Sequence, residues 1–347
     1  MLRGKSHLFL HLSGALVAVA VACAIPAFSV FPLGAHWPLL VIAMVAVAPV
    51  TLLVAFVWKV ARWMRAPLPF RIPLTVGQQQ GLASISHSKT GSPHSTLEVL
   101  LRVVLDVLLL RPLFRTTPTA PSMGNTLAHG RGRWLWLTAI AFHGSLLVIV
   151  LRHLRLFWEP VPVFVTFLEQ FDVATEMFLP KVHVTSLVFP LALALLLGRR
   201  LLLMRVRYIS LAADYFPLLL LLAIATTGLV MRHFVRTDVA AVKQLTIGLA
   251  NGTLVLPSRA DTWLMTHIFL VGLLLAYFPL SKLMHMPGAL LSPTLTMANI
   301  NREKRHINVR NPKVQFMHYA DYEATFRDRM IEAGLPVEAA PEASKDK

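Results

Sequence analysis

Residues 133–153 read RWLWLTAIAFHGSLLVIVLRH, and residues 262–285 read TWLMTHIFLVGLLLAYFPLSKLMH. Each is an apolar run long enough to cross a hydrocarbon core of roughly 30 Å, which takes about 20 helical residues. Each also carries two histidines, His143 and His153 in the first, His267 and His285 in the second. A lone histidine at membrane depth is commonly a packing or hydrogen-bonding residue. Ionisable groups there are costly enough to suggest function, and four on two runs form a constellation.

The rest of the chain agrees with a membrane protein. Of 347 residues, 56% are hydrophobic and 14% charged, against about 25% charged in a soluble domain. Mean hydropathy is +0.62. A net charge of +16 could suit nucleic acid. In a polytopic membrane protein the same excess gathers in cytoplasmic loops, and no nucleic-acid partner is expected. Six stretches are long enough to span, approximately 8–30, 37–60, 134–157, 183–204, 214–234 and 262–285. The expected fold class is all-α, a polytopic bundle of six transmembrane helices with a short cytoplasmic tail. Trp37, Trp63, Trp134, Trp136, Trp158 and Trp263 sit near span ends, as interfacial anchors should.

The loops orient the bundle. Between the second and third spans lie Lys59, Arg62, Arg65, Arg71, Lys89, Arg131 and Arg133. Arg199, Arg200, Arg205 and Arg207 lie between the fourth and fifth, and NREKRHINVR (301–310) follows the sixth. The alternate loops hold Glu159, Glu169, Asp172 and Glu176, then Asp238 and Asp261. The positive-inside rule then puts both termini in the cytoplasm, with the chain in a bacterial cytoplasmic (inner) membrane. The N-terminus has features of a signal peptide, basic MLRGKSH before an apolar stretch. That stretch is too long for a typical signal core, so it is expected to be retained as a span. The segment TLEVLLRVVLDVLLLRPLF (96–114) places Glu98, Arg102 and Asp106 at i, i+4 spacing on an otherwise apolar helix. It is short for a span and is expected to lie in the inner interface. The chain ends in EAAPEASKDK, which looks disordered.

His143 and His153 differ by about 80° on a helical wheel and about 15 Å along the axis. His267 and His285 are eighteen residues apart, five full turns on a continuous helix, or roughly 27 Å on one stripe. The two spans are antiparallel in this orientation. His143 therefore shares the inner half of the membrane with His285, and His153 shares the outer half with His267. Each pair can clamp one iron from opposite sides, giving two stacked bis-histidine haems. The chain has one cysteine, Cys23, so neither thioether-attached haem nor an iron–sulfur cluster can be held here. Imidazole ligation without thioethers means haem b. Arg152 and Arg155 flank His153, where outer-haem propionates would need cations, or they are ordinary interface arginines. His183 and His233 also lie on the outer side, and their roles stay open between a quinone pocket, proton traffic and interface hydrogen bonds.

Two histidines ten apart, followed by two eighteen apart on the last helix, resemble the cytochrome b (gamma) subunit of respiratory nitrate reductase. That resemblance covers the five spans from about 37 to 285. The chain then divides into an additional span and outer turn (1–36), a five-helix dihaem unit (37–287, with a loop and interfacial helix over 61–133) and a tail (288–347). The stretch from His285 onward, HMPGALLSPTLTMANINREKRHINVRNPKVQFMHYADYEATFRDRMIEAGLP, more closely resembles the DsrM-type membrane cytochrome b of the dissimilatory sulfite reductase-linked complex. The resemblance implies two non-covalent haems b on His143, His153, His267 and His285, and electron exchange with a quinone near the outer haem. It also implies a cytoplasmic [4Fe–4S] subunit resembling heterodisulfide reductase, a periplasmic cytochrome c, an iron–sulfur protein and a second membrane subunit, all serving sulfur metabolism. The tail, with His318, Tyr319 and Tyr322, is a plausible docking surface for the cytoplasmic partner.

Two other classes stand against this reading. A proton-coupled or metal-ion transporter could use span histidines as relay or ligands, but few span carboxylates accompany them and no inverted repeat is visible. A purely structural anchor leaves the matched depths of the four histidines without an explanation.

Overall fold

The computed structural model describes residues 2–27, 37–65, 78–81, 84–115, 119–121, 127–129, 132–173, 183–253, 262–298 and 317–338. Arg71, Arg131, Glu176, Asp261, the basic run 301–310 and most of the C-terminal EAAPEASKDK lie outside them.

The long apolar runs form helices because a backbone out of water must satisfy its own hydrogen bonds. They are α1 (Leu2–Ala27) and α2 (Trp37–Arg65), then α3 (Thr96–Val107) and α4 (Arg111–Arg115). A small antiparallel ribbon follows, β1 (Thr119–Pro121) with β2 (Leu127–His129). The chain continues with α5 (Arg133–His153), α6 (Val163–Asp172), α7 (Val184–Leu202), α8 (Met204–Ile209), α9 (Ala212–Val230), α10 (Val239–Ala250) and α11 (Thr262–Tyr277). Short α12 (His285–Leu291) and α13 (Pro293–Thr296) precede α14 (Tyr319–Glu332). The architecture is helical, the ribbon being the strand structure that an all-α expectation leaves out.

Among the described residues, five segments are long and apolar enough to cross a membrane: Ala43–Arg65, Arg133–Leu156, Val184–Leu202, Ala212–Val235 and Thr262–Leu280. The first expected span is also helical, but its apolar part in the described residues, His11–Cys23, is shorter than the other five.

Helices α9 and α11 are central. Helix α11 packs on α2 and α9, α9 on α1 and α7, and α7 on α5. One core joins Ala15 and Val19 of α1, Val41 of α2, Tyr215 and Leu220 of α9, and Phe269 and Leu270 of α11. A second joins Phe189 and Leu193 of α7 to Leu221 of α9, with Phe142, Leu146 and Ile149 of α5 against it. Lipid tails are as apolar as these side chains, so close packing rather than escape from water holds such helices together. Gly272 shows how close α11 and α2 come: a Cβ there would stand 2.6 Å from Met44 Cγ. Span hydroxyls bond back to their own helices, as Thr138 does to Trp134 O (2.7 Å) and Ser145 to Ala141 O (2.6 Å), so none of these is left bare in an apolar layer.

Two sequence expectations change shape. Helix α3 does carry Glu98, Arg102 and Asp106 on one face, but that face turns inward. Ser95 and Glu98 close a capping box, Glu98 meets His87 at 3.0 Å, and Asp106 meets Arg111 at 2.6 Å. Apolar Leu97, Leu100 and Leu108 point outward, the arrangement that suits a helix lying against lipid. The second change falls in the last span, which does not run unbroken to His285. Regular helix stops at Tyr277, a 3-10 turn covers Phe278–Leu280, and Ser281 is extended at ψ 179°. Pro279 lacks an N–H, and Ser281 Oγ accepts from Leu283 N at 3.1 Å to start a new turn. The argument of five full turns on one stripe therefore fails for His285, which opens α12 instead.

Candidate functional site: two imidazole pairs and a buried ion network

His143 lies in the middle of α5 and His285 at the start of α12. Their ring centroids are 6.1 Å apart with planes at 86°. His285 makes this contact from beyond the helix break, after α11 has ended. Around the pair, Phe142 stacks on Phe189 at 5.6 Å and meets the His143 ring edge-on at 4.8 Å. A Cβ on Gly144 would meet nothing within 4 Å, so the backbone beside His143 is open.

The second pair comes from the last residue of α5, His153, and the sixth of α11, His267. The two are near enough to interact electrostatically. Gly228 of α9 makes room for His267: a Cβ there would come within 3.4 Å of His267 Cε1.

All four imidazoles share one hydrogen-bonding pattern. Nδ1 faces a carbonyl oxygen in three: His143 to Ala139 O at 2.7 Å, His153 to Ile149 O at 2.7 Å, and His285 to Lys282 O at 2.9 Å. A carbonyl can only accept, so Nδ1 carries the proton in each. His267 Nδ1 instead meets Thr227 Oγ1 at 2.9 Å. That hydroxyl has its own donation to Ala223 O (3.0 Å) or Ile224 O (2.9 Å), which leaves its oxygen to accept from His267. In all four rings the lone pair is therefore on Nε2, the tautomer that an outer hydrogen bond sets for a metal-ligating histidine. Among the described residues no three His, Cys, Asp or Glu side chains converge on one point as a metal cage would. Paired imidazoles whose Nε2 is left free suit an iron whose other ligands come from a macrocycle.

The His153 end carries a further feature. Arg152 Nη1 donates to Asp172 Oδ2 at 2.5 Å, Thr185 Oγ1 donates to the same oxygen at 2.5 Å, and Thr185 N donates to Oδ1 at 2.9 Å. Asp172 thus closes α6 while neutralising Arg152 and binding the first turn of α7, where a carboxylate also meets the positive end of the helix dipole. Arg155 Nη1 donates to Glu169 Oε1 at 2.8 Å. Each arginine named from the sequence as a propionate partner therefore already has a carboxylate of its own. Arg152 Nε remains buried with no hydrogen-bond partner.

His183 precedes the Val184–Leu202 span and is buried, with Nδ1 3.8 Å from Asp172 Oδ2, beyond hydrogen-bond reach and without another partner. Burial, then the positive charges of Arg152 and Arg232, push its pKa down to about 4. His233 sits in a π-helical turn, Met231–Val235, that ends α9. Sequence reasoning read Asp172 only as one acidic residue of an outer loop and missed α6 and α10 as helices. The segment VFVTFLEQFD (163–172) carries an amphipathic pattern after Pro162 that could have revealed α6. Nothing in the sequence pointed to Thr227 as the holder of His267, since that contact joins two helices.

The fold and these sites define a helical membrane protein with paired imidazoles set between α5 and the α11–α12 segment. No family model matches the chain. Two curated relatives do. The "Hdr-like menaquinol oxidoreductase cytochrome b-like subunit" of Archaeoglobus fulgidus is 36% identical over 273 residues, covering 77% of this chain and 81% of that one. The subunit of the same name from Archaeoglobus profundus is 39% identical over 263 residues, covering 74% and 78%. The chain belongs to this cytochrome b-like family.

Proposed function

We propose that the chain is a dihaem cytochrome b subunit that carries electrons through a membrane between a quinone and a cytoplasmic iron–sulfur subunit. The observation that carries this reading is the shared tautomer of the four histidines, each with Nδ1 bound and Nε2 left for a ligand. His143 with His285 would hold one haem b and His153 with His267 the other. The iron would supply one-electron chemistry through ligands other than thiolates, since the chain has a single cysteine. The protein's own part is to orient the rings through Ala139, Ile149, Lys282 and Thr227, and to keep the pairs within an apolar bundle. His143, His153 and His285 are exposed on otherwise apolar segments, and an imidazole facing lipid is costly unless a bound group covers it.

The relatives' name, menaquinol oxidoreductase, supports menaquinol as the quinone and membership of a multi-subunit complex. The resemblance of the tail extends this to a role in sulfur metabolism, with a heterodisulfide reductase-like [4Fe–4S] partner, a periplasmic cytochrome c, an iron–sulfur protein and a second membrane subunit. Charge in the loops supports a cytoplasmic position for both termini, with α1 as a sixth span and the His285 pair on the cytoplasmic side of a bacterial inner membrane. Helix α14 exposes Tyr319 and Tyr322, which suits the tail as a docking surface. Arg152, through Nε, and Arg155 are the cations best placed in sequence for propionates beside His153.

A reduced-minus-oxidised spectrum with a pyridine haemochrome assay tests the reading. Two haems b per chain are expected, and His143→Ala or His285→Ala should each remove one and leave the other. Absence of a b-type band in the purified wild-type protein overturns it.

A further inference from the structure

The ion network at the His153 end holds more than two haem ligands need. Arg152 reaches it from the end of α5 and Arg155 from the 3-10 turn just after it, Asp172 and Glu169 from α6, and Arg232 from the π-helical turn after α9. With His183 neutral, three cations face two anions. In a region of low dielectric such a surplus favours a negative charge that develops nearby. Asp172 cannot itself serve as a base, because both its oxygens already accept bonds from Arg152 and Thr185. His183 can. It is only 5% exposed, Nδ1 makes no hydrogen bond, and that nitrogen is aimed at Asp172 Oδ2 from 3.8 Å. By the geometry of the ring, Nε2 points away from Asp172. A proton taken up at Nε2 leaves Nδ1–H facing an ionised carboxylate, and a small turn of the ring closes a charge-assisted bond.

We infer that His183 is the proton acceptor for a quinol oxidised at the His153 end, with Asp172 and Arg152 as its positioning residues. This rests on the electron-transfer function proposed above. A hydroquinone gives up two protons and two electrons to become the quinone. A phenolic O–H bond breaks and its proton passes to His183 Nε2, while the electron would be taken up by the haem b that His153 and His267 would hold. His183 releases that proton to the aqueous side, then accepts the second as the second electron follows. In the opposite direction protonated His183 returns the protons to the quinone. The low basicity of the buried ring serves this cycle: His183 is unprotonated at neutral pH and gives its proton up readily once the quinone has left. Arg152, the clamp on Asp172, is the residue before His153, so the carboxylate facing His183 is held by the neighbour of a proposed haem ligand.

The test uses the full chain with its partner subunits in native membranes, with a short-chain menaquinol analogue as substrate and a naphthoquinone inhibitor as binding probe. The haem b spectrum of the wild-type protein is recorded first; its absence defeats the proposed function rather than this inference. With haem present, His183→Gln should lower kcat for quinol oxidation about 100-fold or more. The solvent deuterium isotope effect should rise as proton removal becomes limiting. Haem content, reduction by dithionite and binding of the inhibitor should stay at wild-type values. Asp172→Glu, which keeps the charge, should retain more activity than Asp172→Asn. A kcat within about threefold of wild type, with an unchanged isotope effect, overturns the inference. So does loss of haem or of inhibitor binding in His183→Gln, since the residue would then be structural.

Discussion

The two histidine pairs are held in different ways. His285 follows a break in the last span, stands exposed, and is steadied by the Lys282 carbonyl. The ion pair beside it, Lys282 with Asp214 at 2.7 Å, has a lysine 67% exposed. His153 closes a regular helix, and the residue before it, Arg152, is locked into a buried set of charges with Asp172 and Thr185. A bound cofactor needs only imidazoles, and the His285 end offers little else. The richer end has a surplus of charge and an unpaired base, which electron transfer between haems does not need and proton-coupled quinol chemistry does.

That contrast can be broken at several points. The largest effect on stability belongs to Asp172. Asp172→Ala leaves Arg152 buried without its partner, a loss of about 3–5 kcal/mol, read as a fall in the thermal midpoint of the detergent-solubilised protein. A midpoint unchanged from wild type would show that the network is not buried. Next comes Thr227, whose hydroxyl orients His267. Thr227→Val should weaken haem retention at that site by roughly 10–100-fold while the His143–His285 haem stays in place, and Thr227→Ser should restore it. Equal loss from both sites would remove the distinction between the ends.

A smaller effect appears with pH. The folded state holds His183 near pKa 4, against 6.5 for an ordinary histidine, so the unfolded chain binds the extra proton. Its contribution to stability is complete above about pH 6.5 and is lost progressively as pH falls towards 4. His183→Gln should flatten that part of the stability curve, and an identical slope in the variant would contradict it. The smallest change is expected at the other end, where Lys282→Ala should cost no more than about 1 kcal/mol, because exposed pairs contribute little.

Much of this was legible in residue order. The apolar runs of α2, α5, α7, α9 and α11 needed only hydropathy, since the lipid core demands helices of that length. The pairing of His143 with His285 followed from antiparallel runs, yet its stated reason was wrong at one step. The five-turn stripe assumed a continuous helix, whereas Pro279 and Ser281 break it. The two residues still meet, with ring centroids 6.1 Å apart. The polar stripe of α3 was visible as a spacing, but its inward direction depends on His87, Arg111 and the α12–α13 turn, which come from elsewhere in the chain.

Composition and periodicity by themselves determined a helical membrane protein, the spans that carry its histidines and the presence of a single cysteine. These follow from local quantities: the length of an apolar run, its helical pitch, and the inventory of side chains. Tertiary structure alone decided that Thr227 of α9 meets His267 of α11, and that Asp172 joins Arg152, Thr185 and His183 in one place. Those depend on contacts 11 to 40 residues apart in sequence, and no local pattern encodes which distant hydroxyl or carboxylate a folded helix will meet.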